Sequence, residues 1–156
     1  MAGRGEGENR MLLSSPLRRL LTAVVGLLIL VAAACGEGNG LAAEDATLVN
    51  QYRVANGIPP LPRSYELDLK AQAQAQRMAD ANTIFHSANL VAGVSPGWQL
   101  IGENVAMAGS VSQAQAALQA SAPHRENLLN WAYSEMGIGA VQKGNRIYIA
   151  QVFVQR

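Results

Sequence analysis

The segment "IYIAQVFVQ" at residues 147–155 is apolar on both faces when it is drawn as an extended strand. Successive side chains of a strand point to opposite sides. This alternation separates two apolar sets, Tyr148, Ala150, Val152 and Val154 against Ile147, Ile149 and Phe153. A strand of this kind belongs to a sheet that other layers cover on both sides. The sequence therefore predicts a sheet that lies between two layers.

The remaining segments supply further strands and the helices of the two outer layers. "EMGIGAV" and the turn "QKGNR" predict a hairpin with the last strand through a loop of three to five residues, and "IGENVAMA" predicts a short strand or turn. Helical periodicity predicts four helices, which begin near residues 43, 64, 112 and 123, and a long loop over residues 84–101. The predicted fold class is α+β, a three-layer α/β/α sandwich with a central, mainly antiparallel sheet.

The amino-terminal segment differs in kind from the rest of the chain. Arg18 and Arg19 precede "LLTAVVGLLILVAAA", a run of 15 apolar or small residues. As a helix this run reaches only about 22 Å, whereas a bilayer core of about 30 Å needs about 20 residues. We interpret residues 1–34 as a secretory signal peptide, with Met11 as the true start because Glu6 and Glu8 are unusual in a signal.

Cys35 is the single cysteine of the chain and follows the small-residue run directly. This arrangement is typical of a bacterial lipoprotein, in which the cysteine is lipidated and residues 35–43 form a flexible tether to a domain at 44–156. The alternative is ordinary cleavage near Ala34 and release of a secreted protein. Both interpretations place the domain outside the cytoplasm, either anchored to the cell membrane or free.

Charge and titratable residues limit the candidate functions. The net charge of +1 gives no basis for binding nucleic acid. His86, Glu103 and His124 lie in segments rich in glycine, serine or proline, and two imidazoles with one carboxylate can bind a divalent ion such as zinc. Their spacing matches no local metal motif, so each histidine taken alone fits a structural or solvated role better than a role in metal binding. If Ser121 caps the helix that Pro123 opens, the helix dipole favours a neutral His124, the form that binds metal.

The order of "LVNQYRVANGIPPL", "FHSAN", "GENVAMA", "SAPHRENLLNWAYSEMGIGAV" and "YIAQVFV" resembles the CAP superfamily of cysteine-rich secretory, antigen 5 and pathogenesis-related 1 proteins. The likeness covers about residues 45–154 and is greatest with the cysteine-poor bacterial branch, whose domain is also called SCP. It implies helices packed around an antiparallel sheet in three layers. It also implies a cavity with two histidines and two acids that can bind a divalent metal.

Carried over position by position, the resemblance puts the cavity histidines at His86 and His124 and its first glutamate at Glu103. The second acid is expected at Ser121, and the tryptophan three residues before it at Leu118. Without that acid a bound metal, zinc first among the candidates, is expected to be held weakly. Glu135 either contacts the side chains that bind the metal, without binding the metal itself, or is an exposed charge at a strand end. Asn104 and Asn127 are expected to bond backbone, and Trp98 and Trp131 to pack in the core or to border the cavity.

Three functions remain open at this point. The first is a binding domain that takes a divalent metal and a small or lipidic ligand, without catalysis. The second is a metal-dependent hydrolase, or a serine hydrolase using Ser121, His124 and Glu103, which we disfavour because no nucleophile elbow is present. The third is an envelope protein that binds a partner and retains only a vestigial cavity.

Overall fold

The computed structural model describes residues 40–156. The predicted signal peptide, the lipidation site Cys35 and most of the predicted tether lie outside the described residues. Within residues 40–156, no helix is both long and apolar enough to span a bilayer.

Four helices and three strands follow one another along this part of the chain. The elements are α1 (residues 40–55), α2 (Tyr65–Ala81), β1 (Leu100–Ala108), α3 (Val111–Ala120), α4 (Ala122–Leu129), β2 (Glu135–Lys143) and β3 (Arg146–Gln155). Two expected boundaries move. Residues 40–43, assigned to the tether from the sequence, are already helical, and Ala42 among them is buried in the core. The third helix begins at Val111, where the Ser110 hydroxyl caps it by accepting the Gln113 amide.

β3 is the central strand of the sheet. β1 and β2 both pair with it in antiparallel fashion, which gives the strand order β1-β3-β2. Lys143 pairs with Arg146, so the β2–β3 turn contains only Gly144 and Asn145 rather than three to five residues. Gly144 has φ +61°, a backbone conformation that glycine adopts without strain, and this allows the shorter turn.

α2 forms one outer layer of the sandwich. Its buried side chains pack against the β3 residues Tyr148, Ala150, Val152 and Val154. Two glycines of β2 allow the helix backbone to approach closely. A Cβ atom added to Gly137 would lie 2.0 Å from the Leu67 carbonyl carbon, and one added to Gly139 would lie 2.2 Å from that of Ala71. The "GIG" of β2 therefore makes room for the α2 backbone.

α1, α3 and α4 form the layer on the opposite face. Their buried residues join one apolar cluster with Ile147, Ile149 and Phe153 of β3. Phe153 also stacks on Tyr133, with ring centroids 5.4 Å apart. The two sets of β3 side chains therefore face different layers, and the predicted α/β/α sandwich with an antiparallel sheet is confirmed.

Candidate functional site

Glu103 lies in the middle of β1 with its side chain only 2% exposed. Both of its carboxylate oxygens have partners. Oε1 is 2.9 Å from Nδ1 of His86 and accepts the Ser87 amide at 2.8 Å, and Oε2 accepts the Ser87 hydroxyl at 2.5 Å. A buried carboxylate with this many hydrogen bonds is held in one orientation. Glu103 therefore fixes the "FHSAN" loop to the sheet.

His86 is the exposed partner of this pair, and its side chain is 60% exposed. The loop that carries it begins where α2 ends, at Asn82, which adopts φ 52°. Gln74 of α2 is fully buried and donates to the carbonyl of Phe85. This bond attaches the loop to α2, in addition to its attachment to Glu103. Because Nδ1 contacts Glu103, Nε2 is the ring nitrogen left to meet a ligand.

His124 lies in the first turn of α4. Its Nδ1 is 2.8 Å from the Ser121 hydroxyl, and its carbonyl accepts the side-chain amide of Asn104 at 3.1 Å. Burial lowers the pKa of His124, and the nearby charge of His86 lowers it further. The neutral form of the ring is therefore favoured. Ser121 occupies the N-cap position, but its side chain bonds His124 rather than a backbone amide of the helix.

The structure pairs His86 with Glu103, whereas the His124 ring contacts Ser121. Within residues 40–156 there is no group of three or more histidine, cysteine or acidic side chains close enough to hold a metal ion. The hydrogen bonds of both imidazoles use Nδ1, so Nε2 is the nitrogen of each ring that is left to meet a ligand. Glu103 fits the role of a carboxylate that orients His86.

A buried amide network lies behind the histidines, and the sequence pattern does not predict it. Asn127 donates to Asn104 at 2.9 Å, Asn104 donates to Gln151 at 3.2 Å, and Gln151 donates to Asp45 at 2.7 Å. Asn127 also accepts the hydroxyl of Tyr133. A Cβ atom at Gly102 would lie 2.2 Å from that hydroxyl, so the glycine before Glu103 makes room for the network. Gln151, in the middle of an otherwise apolar strand, is the one sequence signal for it.

Asp45 ends this network on α1. It is fully buried, and burial raises the pKa of its carboxyl to about 7, an effect that the hydrogen bond from Gln151 reduces. Gln151 also donates to Gln115 of α3 at 3.1 Å. Within the described part of the chain, Oδ1 of Asp45 and Nε2 of Gln115 are buried without a hydrogen-bond partner. The network thus joins α1, α3 and the sheet through side-chain amides and one buried carboxyl group.

A small cavity of about 190 Å³ opens beside His124. Its wall is mainly aliphatic, with Ile84, Val105, Met107 and Leu118, and Ser121 and His124 supply its polar edge. Leu118 is buried in the position where the resemblance expects a tryptophan. An apolar cavity with a few convergent polar groups is the usual form of a small-molecule site.

The other predicted residues lie away from this cavity. Glu135 pairs with Arg156 at the end of its strand, in agreement with the interpretation as a strand-end charge. Trp131 is 82% exposed and Trp98 37% exposed, so the expected core packing of the two tryptophans is wrong. Both tryptophans lie in loops, outside the helices and strands. Asn104 and Asn127 bond backbone as expected, and they bond each other as well.

Comparison with family models identifies the chain. The model of the cysteine-rich secretory protein family, CAP, matches residues 46–156, which include both histidines, Glu103 and all three strands. The chain belongs to the CAP family. The match begins within α1, so this CAP domain includes nearly all of the sandwich described above.

Three solved bacterial structures share the fold of this CAP domain. An extracellular protein with an SCP domain from Bacillus anthracis is 26% identical, with a TM-score of 0.68 over 76% of this chain and 41% of its own. An outer surface protein from Borrelia burgdorferi is 20% identical, with a TM-score of 0.62 over 72% of this chain and 93% of its own. A cysteine-rich secretory protein from Staphylococcus aureus is also 20% identical, with a TM-score of 0.64 over 76% of this chain and 39% of its own.

This chain spans less than half of the Bacillus and Staphylococcus proteins, which contain further segments. A search of curated protein sequences gave no significant match.

Proposed function

We propose that this CAP domain is an extracytoplasmic binding module that takes a divalent metal ion, zinc first, and a small or lipidic ligand, without catalysing a reaction. The observation that carries the proposal is the pair formed by Glu103 and His86 beside a neutral His124. A carboxylate on Nδ1 of an imidazole orients the ring and makes Nε2 a better donor. His86 is thus prepared to bind a ligand at its exposed side.

The chemistry of the residues indicates a weak site. Two imidazoles supply two of the four ligands that zinc prefers, and the remaining positions go to water or to a bound ligand. Ser121 stands where the family resemblance expects an acid, so the site lacks one negative charge. Glu103 contributes by orienting His86 rather than by binding the metal itself, because both of its carboxylate oxygens already have hydrogen-bond partners.

The aliphatic cavity beside His124 supports the second part of the proposal. Ile84, Val105 and Leu118 offer apolar contacts, while the imidazole and the Ser121 hydroxyl offer polar ones. At about 190 Å³ the cavity is suited to a short aliphatic or otherwise small group rather than a large ring system. A ligand of this kind could contact the metal with its polar end.

The location of the domain follows from its relatives and from the amino-terminal sequence. The similar Bacillus protein is described as extracellular and the Borrelia protein as an outer surface protein. The signal peptide predicted from residues 1–34, with Cys35 as a lipid anchor, agrees with such a location. We propose that the domain lies outside the cytoplasm, anchored to the membrane by Cys35 or secreted.

One observation favours a second candidate, a hydrolase. The Ser121 hydroxyl is 2.8 Å from the imidazole of His124, as in a nucleophile–base pair. A triad also needs an acid that orients the base. Glu103 is the acid that such a triad would use, but it contacts His86 and Ser87 instead of His124. This weakens the hydrolase candidate.

Calorimetric titration with zinc tests the binding proposal. We use the full-length protein without a histidine tag, together with His86→Ala and His124→Ala, because these are the two histidines of the chain. Gln142→Ala, at an exposed strand end, is the control. We expect saturable binding to the wild type and the control, and at least about a ten-fold loss in each histidine variant. Equal heats for all four proteins would refute the metal site and favour the vestigial cavity.

Turnover of casein and of peptidoglycan fragments, with and without chelator, separates binding from hydrolysis. We expect no turnover in either condition. Cleavage that is lost in Ser121→Ala and His124→Ala would replace the binding proposal with the serine hydrolase. Cleavage that chelator abolishes would replace it with a metal-dependent hydrolase.

A further inference from the structure

Two cavities adjoin each other along the outer side of α2, and they form one groove that leads to His86. The first has a volume of about 370 Å³ between α2 and the 89–93 segment, and the second, of about 380 Å³, contains His86 and Ser87. They share Arg77 and Asn89. We call the two together the α2 groove.

Two cations of α2 line this groove without a carboxylate partner. Within residues 40–156, neither Lys70 nor Arg77 has an acidic group within the 4.0 Å that defines an ion pair. Glu66, the acid at the far end of the groove, instead pairs with Arg156 and accepts the Ser95 amide. Lys70 and Arg77 are therefore the two cations that line the groove between Glu66 and His86, and the buried carboxylate of Glu103 lies behind His86.

Both cations are held in place by neutral acceptors. The ammonium of Lys70 donates to the carbonyls of Ala92 at 2.8 Å and Asn89 at 3.4 Å. The guanidinium of Arg77 donates through Nε and Nη2 to Oε1 of Gln74, and Gln74 is fully buried. Because Gln74 also holds the carbonyl of Phe85, the position of Arg77 is coupled to the loop that carries His86.

The two positive charges act on each other. Partial burial lowers the pKa of Lys70, Glu103 raises it, and Arg77 lowers it again. The repulsion from Arg77 is smaller than the attraction of Glu103, and an anion bound between the two cations would offset it. An arginine whose orientation is already fixed loses little entropy when it binds such an anion.

We infer that the α2 groove is an anion subsite in which Lys70 and Arg77 bind the phosphate of a phosphate monoester. A monoester carries a charge of about −1.5 to −2 at neutral pH and therefore matches two cations better than a carboxylate does. The guanidinium of Arg77 can bind two phosphate oxygens through its remaining N–H groups, and the ammonium of Lys70 binds the third. The rest of the ligand extends along the groove toward His86. Lys70 and Arg77 are not candidate metal ligands, but His86 borders the groove, so phosphate binding and zinc binding are measured separately.

Nuclear magnetic resonance of the arginine Nε–H groups tests the subsite on metal-free full-length protein at constant ionic strength. The probe is glycerol 3-phosphate, and acetate is the comparison. We expect the Arg77 signal to shift and saturate with glycerol 3-phosphate, and acetate to bind more weakly. Arg77→Gln removes the observed signal, so binding to this variant and to Lys70→Gln is measured by calorimetry, and each should weaken binding by about ten-fold. Arg146→Gln removes the same charge at an exposed position of β3 and should bind as the wild type does.

Arg77→Lys keeps the charge without the planar donor group, so intermediate binding is expected if the protein folds.

Sedimentation with phosphatidylcholine vesicles, with and without phosphatidic acid, identifies the source of the phosphate. Binding to phosphatidic acid that depends on Lys70 and Arg77 assigns the subsite to a lipid headgroup. Saturable binding of glycerol 3-phosphate without vesicle binding assigns it to a soluble ligand. Shifts that do not saturate, or a loss of calorimetric affinity in Arg146→Gln as large as that in Arg77→Gln, would overturn the inference. Zinc binding by Arg77→Gln shows separately whether the metal site holds.

Discussion

The Ser121 hydroxyl lies 2.8 Å from Nδ1 of His124, where the family resemblance expects an acidic side chain. The contact therefore joins two neutral groups. Burial and the charge of His86 lower the pKa of His124, which favours the loss of its proton. On this neutral pair we base the proposal that the ring can take a metal ion and would hold it weakly.

Ser121→Asp should restore the missing charge. We expect zinc affinity to increase by about ten-fold or more, because the carboxylate adds an anionic ligand or a strong partner for His124. The pKa of His124 should rise, since a nearby negative charge favours imidazolium. Calorimetry measures the first effect and a pH titration of the histidine resonances the second. Ser121→Asn is the neutral control, and an equal gain in that variant would show that charge is not the cause.

Glu103→Gln should loosen His86 without removing it. The glutamine keeps one oxygen for Ser87 but loses the carboxylate at Nδ1 of His86, so zinc affinity should fall by about ten-fold to a hundred-fold. The tautomer of His86, read from its nitrogen resonances, should become mixed. Unchanged affinity with an unchanged tautomer would show that the pair does not orient the ring. Gln142→Ala again serves as the unaffected control.

Asp45→Asn should change how stability depends on pH. The folded-state pKa of Asp45, about 7, exceeds the ordinary value of 3.8, so the folded protein binds this proton more tightly than the unfolded chain does. The associated stability is fully present below about pH 4 and is lost as the pH rises through 7. Between pH 5 and 8 the wild type should lose on the order of 2 kcal/mol relative to Asp45→Asn.

Urea unfolding at several pH values measures this difference. His124, whose pKa is lowered, acts in the opposite direction over the same range, but both proteins carry it, so the comparison cancels its contribution. A constant difference between the two proteins from pH 5 to 8 would contradict a titrating Asp45.

Gly139→Ala should destabilise the sandwich through α2. The added methyl group would lie 2.2 Å from the carbonyl carbon of Ala71, so the helix backbone must move away from the sheet. Overpacking of this kind costs about 1–3 kcal/mol. Gly40→Ala is the matched control, because nothing lies within 4 Å of its added Cβ atom. Denaturant unfolding should show a lower midpoint for Gly139→Ala alone.

The layers of the fold were predictable because they depend on periodicity. The alternation in residues 147–155 assigns each apolar side chain to the correct layer, as Tyr148 and Phe153 show. The β2–β3 turn was predicted too long, because the segment "QKGNR" does not show that Lys143 and Arg146 still pair. Helix ends shifted by a few residues, since the first and last turns carry little periodic signal.

The candidate site was predictable only in part. The family resemblance selects His86, Glu103 and His124, but no sequence pattern shows which partner each side chain takes. The Glu103 contact with Ser87 and the Ser121 contact with His124 depend on how the 82–99 loop and α4 meet β1. Gln151 interrupts the apolar residues of β3, and only the structure shows that it links Asp45 to Asn104 in the buried layer.

The central place of β3 affects the order in which the domain can be assembled. Among the described residues, β1 and β2 each pair along their full length only with β3, which follows both of them in the chain. When the polypeptide emerges with its amino terminus first, β1 and β2 appear before the strand with which they pair. At that stage α2 has no completed sheet on which to pack. Residues 146–155 are therefore the closing segment of the domain. Until they are available, neither β1 nor β2 has the strand that pairs with it, and the sheet cannot form.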